Sequence, residues 1–205
     1  MSGTALPWLE FEPGPHRYRI DGKVVPSVTE ILRPLVDLSR VPIGILEQAR
    51  ERGKAVHEAC DLYNRGELDE DGIAALPDPV RVRFESYRKF LADTDAHPIA
   101  SELRVGSRRL QYAGTLDVLV LWKKRGRYVR ALCDLKATWE IPDAVGPQTF
   151  AYALAYRECT GHNVDARFCV QLDPVHYGYR PLDDPSDDVT FRSCLNIHRW
   201  KASHK

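Results

Sequence analysis

The chain lacks any long apolar run. No stretch of its 205 residues approaches the ~18 consecutive apolar positions that a membrane-spanning helix needs. Met1–Glu10 also lacks a basic start followed by a hydrophobic segment, so no secretory leader is read there. The expectation is a cytoplasmic protein with no membrane partner. Cysteine is sparse: Cys60, Cys133, Cys159, Cys169 and Cys194 are odd in number, dispersed, and form no Cys-x-x-Cys pair. That spacing argues against a zinc ribbon and a disulfide framework. The cysteines read instead as small buried apolar residues, Cys133 and Cys169 in strands and Cys60 and Cys159 in helices. Net charge is missing as well, with 29 Lys and Arg against 29 Asp and Glu. No internal repeat or low-complexity tract is present.

The neutral total conceals clusters. Acid collects at Asp69–Asp71 and Asp183–Asp188, and base at Arg50–Lys54, Arg81–Lys89, Arg104–Arg109, Lys123–Arg130 and His198–Lys205. Taken singly, each is a solvated face or turn; taken together, local basic patches can bind phosphate although the whole chain is neutral. The apolar fraction of 43% and the length suit one well-buried domain over 1–205. Within it, 1–15 is expected to be an irregular lead-in rich in Pro and Gly, and 201–205 a frayed tail.

Between those ends the pattern is first helical, then extended. Arg17–Ile20 and Lys23–Val25 predict a hairpin closed by Asp21-Gly22. Ser27-Val28-Thr29-Glu30 predicts a capping box opening a short helix to about Leu32. Apolar residues at helical spacing predict helices over about 43–64 and 79–93. Gly53 lies one turn before His57 on the first of these; since an interior helical glycine costs about 1 kcal/mol, it predicts a close approach by backbone or ligand. Strands follow over 99–105, 110–121 and 128–137, with a basic turn Lys123–Gly126. A helix over 147–160, strands over 164–172 and 177–181, and a final helix over 187–200 complete the order. This succession predicts an α/β fold, a mixed sheet with helices on both faces and an N-terminal helical portion.

Ala131–Lys136 and Gly114–Asp117 carry the chemistry. Alternation puts Asp134 and Lys136 on one side of a strand, with Leu132, Cys133 and Leu135 supplying apolar contact. If Asp117 joins them, two carboxylates can hold a hard divalent cation and an ammonium can orient a water. The triplet alone proves little, because Asp21-Gly22-Lys23 repeats it in a turn. Asp134 and Lys136 could equally form a simple ion pair, and Asp117 could find a strand-end hydrogen bond. Gln148 and Tyr152, at i and i+4, share a helix face. Tyr112 and Trp139 are candidates for base stacking or for ordinary core and rim positions.

His57, Glu102, Gly114-x-x-Asp117, Asp134-Leu135-Lys136 and Gln148-x-x-x-Tyr152 stand in the order of the PD-(D/E)XK nuclease superfamily, and the set resembles its RecB-like exonuclease branch. His16-Arg17-Tyr18 through Pro26-Ser27-Val28-Thr29 resembles the opening segment of viral and mitochondrial-type DNA exonucleases of that branch. The resemblance covers about 18–152 and implies a restriction-endonuclease-like mixed sheet flanked by helices. It implies a DNA exonuclease acting on free ends or single strands in repair, recombination or replication. Asp117, Asp134, the Leu135 carbonyl and His57 would hold Mg²⁺ or Mn²⁺. Lys136 would hold the attacking water, Glu102 would be a further ligand to metal or water, and Gln148 and Tyr152 would hold the DNA backbone or the site's geometry. Some relatives carry four cysteines on an iron–sulfur cluster; the spacing of Cys159, Cys169 and Cys194 does not match, so no cluster is expected. The neutral charge suggests modest DNA affinity supplemented by a partner helicase or recombination protein. A structure-specific endonuclease, an RNase of the same fold, and a non-catalytic nucleic-acid-binding module stand as alternatives.

Overall fold

Three antiparallel strands open the chain in the order β1 (Leu9–Glu12), β2 (Arg17–Ile20), β3 (Lys23–Val25) in the computed structural model, which describes residues 6–37, 39 and 41–204. The expected irregular lead-in therefore contains a strand, and residues 1–5 lie outside the described residues. The reason is the alternation Leu9-x-Phe11, which pairs with Ile20 and Tyr18. Pro13 and Gly14 mark the turn to β2, where His16 N–H donates to the Pro13 carbonyl at 3.2 Å, and do not make the whole segment irregular. Asp21 and Gly22, at φ +50° and +74°, close the next hairpin as expected.

The capping box is present. Ser27 Oγ accepts from Glu30 N–H at 3.1 Å, and Ser27 N–H donates to Glu30 Oε2 at 2.7 Å, opening α1 (Val28–Ile31). α2 (Ile43–Asn64) and α4 (Asp78–Thr94) match the apolar periodicity. Between them lies α3 (Glu70–Ala75), too short for a periodic signal; Asp69, read only as part of an acidic cluster, caps it by accepting from Gly72 N–H at 2.8 Å.

The main sheet runs β4 (His97–Ser107), β5 (Tyr112–Lys124), β6 (Arg127–Lys136), β7 (Ala166–Leu172), β8 (Tyr177–Pro181), in that spatial order. All neighbours are antiparallel except β6 and β7, whose parallel pairing requires a crossover. α5 (Val145–Thr160) supplies it and ends at Gly161, φ +75°. The expected basic turn is only Arg125-Gly126, because Lys123 and Lys124 still belong to β5. α6 (Ser186–Ser203) continues past the expected boundary, so 201–203 are helical and not frayed. Ser203 Oγ donates to the Trp200 carbonyl at 3.0 Å, and His204 stacks on Trp200 at 4.6 Å; Lys205 lies outside the described residues.

Helices cover both faces. On one, Val56 of α2 and Phe84, Tyr87 and Phe90 of α4 pack on Val118, Val120, Cys133, Leu135 and Phe168. On the other, α1, α5 and α6 bring Val28, Ile31, Tyr152 and Phe191 against Leu116, Leu119 and Leu132. The fold is thus α/β, a mixed five-stranded sheet between helical layers, with the separate β1–β3 sheet ahead of the N-terminal helices.

Candidate metal centre at a fork in the sheet

β5 and β6 pair only as far as Val118 and Cys133. Beyond that point β5 stays with β4 down to Tyr112, while β6 stays with β7 through Lys136. The sheet therefore forks, and backbone groups inside the fork need other partners. Asp117, whose carboxylate would be costly unpartnered among apolar neighbours, takes the Leu135 N–H on Oδ2 at 2.7 Å. Across the fork, Tyr152 of α5 lies against Gly114, where an added Cβ would sit 2.6 Å from Tyr152 Cε1. The glycine of the Gly-x-x-Asp motif is thus a packing requirement.

His57 reaches the fork from α2. Its Nε2 is 3.0 Å from the Leu135 carbonyl oxygen; since a carbonyl can only accept, Nε2 carries the proton. Nδ1 then faces Asp117 Oδ1 at 3.6 Å and Glu102 Oε1 at 3.8 Å. The Asp61 carboxylate, one turn along α2, accepts from Ser101 Oγ and ties that helix to β4 beside Glu102. Burial alone would push the His57 pKa down, but Asp117 and then Glu102 outweigh it, with Lys136 opposing, and the group stands at about 9.

Glu102 falls between the pairs Ser101–Val118 and Leu103–Leu116, so it lies opposite Asp117. Its φ is +46°. The other described non-glycine residues with positive φ, His16, Asp21, Asp95, Gln111 and Arg125, sit at turns or a helix end; Glu102 is held there within a strand. Such strain, of order 1–3 kcal/mol, gathers at functional sites.

Asp134 and Lys136 form a separate, buried pair. Lys136 Nζ is 2.7 Å from Asp134 Oδ2, with the side chains 20% and 1% exposed. β6 is an interior strand, so the ion pair is not at the edge of the sheet. Burial pushes the Asp134 carboxyl pKa up and Lys136 pulls against it. Burial would likewise destabilise the Lys136 ammonium, but Asp134 and then Asp117 overcome it and raise its pKa. Asp134 Oδ1 is buried with no hydrogen-bond partner among the described residues.

Of the expected residues, the structure gathers His57, Glu102 and Asp117 with ligand atoms within 4.8 Å of one another. Asp134 is not in that group; it sits one residue along β6 from Leu135, bound to Lys136. The Leu135 carbonyl is engaged by His57, so Leu135 orients two ligands through its own N–H and C=O. Gln148 is half-buried and donates from Nε2 to the Tyr152 hydroxyl at 3.3 Å, while Tyr152 is buried in the core against α1 and β5. Direct contact with DNA is thus closed to the Tyr152 ring, which instead packs against Gly114 of β5. Tyr112 is fully buried and donates to the Ala151 carbonyl at 2.8 Å, a core role that rules out base stacking; Trp139 is 85% exposed. Gly53 meets nothing within 4 Å, so no described backbone makes the close approach its position suggested. Sequence reading missed Thr115, two residues before Asp117, whose Oγ1 bonds the buried Tyr18 hydroxyl at 2.8 Å and fastens the small sheet beside the fork.

The donor set suits a hard or borderline divalent cation, with one imidazole nitrogen and two carboxylates. Separations of 3.6 and 3.8 Å lie between the roughly 3.0 Å cis and 4.2 Å trans distances of an octahedral ion with bonds of about 2.1 Å. His57 donating its other N–H to a backbone carbonyl is the usual support for a histidine ligand. The unsatisfied Asp134 Oδ1 is a further anionic atom nearby.

No protein-family model and no curated protein matches this chain. A solved structure described as SSO0001 is similar over 70% of this chain and 71% of its own, at 13% identity and a TM-score of 0.36. Likeness at that level carries no argument about activity.

Proposed function

We propose that this chain belongs to the PD-(D/E)XK nuclease superfamily, in its RecB-like exonuclease branch, and hydrolyses DNA phosphodiester bonds with Mg²⁺ or Mn²⁺. The main support is the fork, which draws His57, Glu102 and Asp117 from three elements to one point beside the Lys136 ammonium. A divalent ion held there supplies Lewis-acid polarisation of a phosphate and a more acidic water. His57 Nδ1, Asp117 Oδ1 and Glu102 Oε1 would hold it, after the imidazole gives up the extra proton that Asp117 and Glu102 favour. Leu135 fixes two of those ligands in advance. Lys136, kept as an ammonium by Asp134, has no lone pair and acts as a donor: it orients the attacking water and stabilises charge on the phosphoryl oxygens. Gln148, anchored by Tyr152, contacts the DNA backbone.

The test is digestion of end-labelled linear single-stranded DNA, circular single-stranded DNA and RNA, with Mg²⁺, Mn²⁺ or excess chelator. Linear DNA should be degraded only with metal and the circle spared. Asp117→Asn, which keeps an acceptor for the Leu135 N–H, should lower the rate at least about 100-fold, as loss of a transition-state contact does. Cutting in excess chelator, or wild-type rates from Asp117→Asn, would sink the reading; a cut circle would make the enzyme an endonuclease.

A further inference from the structure

A second feature lies beside the fork. α2, α4 and the segment following β6 enclose a cleft of about 410 Å³ lined by Arg52, Arg83, Thr138, Trp139 and Asp173, within the ~300–1,000 Å³ typical of ligand sites. The Nε of Arg52 and the Nε of Arg83 are each buried with no hydrogen-bond partner among the described residues. Burial first, and Arg52 second, hold the Arg83 pKa below its ordinary value, so the two guanidiniums are close enough to repel; Asp173 opposes this more weakly. The Asp173 carboxylate is itself occupied, accepting the Val175 N–H at 3.1 Å. Two guanidiniums that line one cleft and repel each other favour an anion with several acceptor oxygens between them.

The walls are anchored. Ser86 Oγ of α4 donates to the Asp173 carbonyl at 2.6 Å, and Gln171 Nε2 donates to the Thr138 carbonyl at 2.7 Å. Trp139 projects from this fixed segment at 85% exposure, three residues past Lys136. Between the cleft and the metal ligands, Gly53 presents open space; it precedes His57 by four residues, about 6 Å along the helix axis. Gly53 and His57 share a side of α2, so the position next to Arg52 on the way to the metal ligands carries no side chain.

We propose that this cleft is a subsite for single-stranded nucleic acid, in which Arg52 and Arg83 take a backbone phosphate and Trp139 stacks on an adjacent base. As a feeder for the fork it rests on the nuclease reading, but its binding does not require metal. Fluorescence anisotropy with a labelled short oligothymidylate, in chelator so that nothing is cut, tests it directly. Arg52→Gln, which gives up no hydrogen bond seen among the described residues, should weaken binding about 5- to 20-fold and make the slope of log K against log salt shallower by about 0.7, the single-strand value for one phosphate contact. Trp139→Ala should weaken it about 5- to 100-fold with the slope unchanged. Arg83→Gln should match Arg52→Gln, with a melting curve to confirm folding, and Arg127→Gln, at the opposite end of β6, should change nothing. Wild-type affinity and slope in both Arg52→Gln and Trp139→Ala overturn the proposal. Equal loss for strand and blunt duplex with no effect of Trp139→Ala overturns the single-strand assignment. If metal-dependent cutting occurs but Arg52→Gln and Trp139→Ala both bind normally, the subsite fails and the nuclease reading stands. If Arg52→Gln loses binding while wild-type protein cuts nothing with any divalent ion, the nuclease reading fails and the subsite stands.

Discussion

Asp-x-Lys occurs twice in this chain, and the two copies share nothing beyond the letters. In Asp21-Gly22-Lys23 the middle glycine lets the backbone turn at positive φ, so the aspartate and lysine end on a hairpin tip. Asp21 is 51% exposed and pairs with the equally exposed Arg108. In Asp134-Leu135-Lys136 the leucine keeps the chain extended and is buried under α2 and α4, so its neighbours must point the other way, together, into a closed space. Water screens the first pair of charges, and Asp21 has Arg108 as its partner. The second pair is shut in with only each other, the fork and the Cys169 thiol, which donates to Asp134 Oδ2 at 3.8 Å. The middle residue thus decides whether the flanking charges are decoration or commitment.

The largest expected effect breaks that contrast at the lysines. Lys136→Ala leaves Asp134 buried without its counter-ion and should destabilise the fold by about 3–5 kcal/mol, whereas Lys23→Ala should leave the urea midpoint unmoved. Equilibrium urea unfolding of both variants checks it; equal midpoints would mean that the interior pair is not buried as a pair. For the same reason Lys136→Ala is a poor test of catalysis, because lost activity would mix chemistry with unfolding. Replacing both charges, Asp134→Leu with Lys136→Met, should recover at least the whole of that loss, about 3–5 kcal/mol relative to Lys136→Ala, since a buried ion pair is replaceable by apolar groups while half of one is not.

The contrast also marks what sequence reasoning reaches. Where local chemistry decides, it succeeded: α2 ends where Arg65-Gly66 stops the apolar period, β8 spans Tyr177–Pro181, and Ser27 and Glu30 form their reciprocal cap. It placed all the candidate ligands on the right elements. What it could not supply is set by contacts between distant segments. Nothing in Gly114–Asp117 says that β5 and β6 part at Val118, so the bracket that the Leu135 N–H and C=O make for Asp117 and His57 was not legible. Glu102 carried no local sign of its left-handed backbone. Arg50–Lys54 and Arg81–Lys89 were visible as two basic clusters, but that Arg52 and Arg83 face one cleft follows only from how α2 and α4 pack.

Glycines give the next sharpest version of the comparison. Gly114→Ala puts a methyl 2.6 Å from the Tyr152 ring, and overpacking of that kind should cost about 1–3 kcal/mol. It should also disturb Mn²⁺ binding, because a shift of Tyr152 against β5 acts three residues before Asp117 on the same strand. Gly22→Ala meets no atom within 4 Å but must hold φ near +74°, which should cost about 1 kcal/mol and leave Mn²⁺ binding intact. Urea unfolding with Mn²⁺ titration calorimetry separates the two; equal metal affinity in both would show that Asp117 does not depend on how Tyr152 packs against Gly114.

The smallest effect is expected at Glu102. Glycine inside a strand ordinarily destabilises, yet at φ +46° Glu102→Gly removes a side chain from a backbone conformation that glycine adopts freely, and the two effects, each of order 1 kcal/mol, should nearly cancel. Glu102→Gln keeps the strain and the bulk but loses the charge. Unfolding midpoints should therefore stay close to wild type in both variants, while Mn²⁺ affinity falls about tenfold or more in both, in line with removing one of the two carboxylate ligands. The opposite pattern, a destabilised Glu102→Gly with unchanged metal affinity in Glu102→Gln, would make Glu102 a strand residue like any other. The ion would then rest on His57, Asp117 and the unpartnered oxygen of Asp134, drawing the interior Asp-x-Lys copy into the ligand set itself.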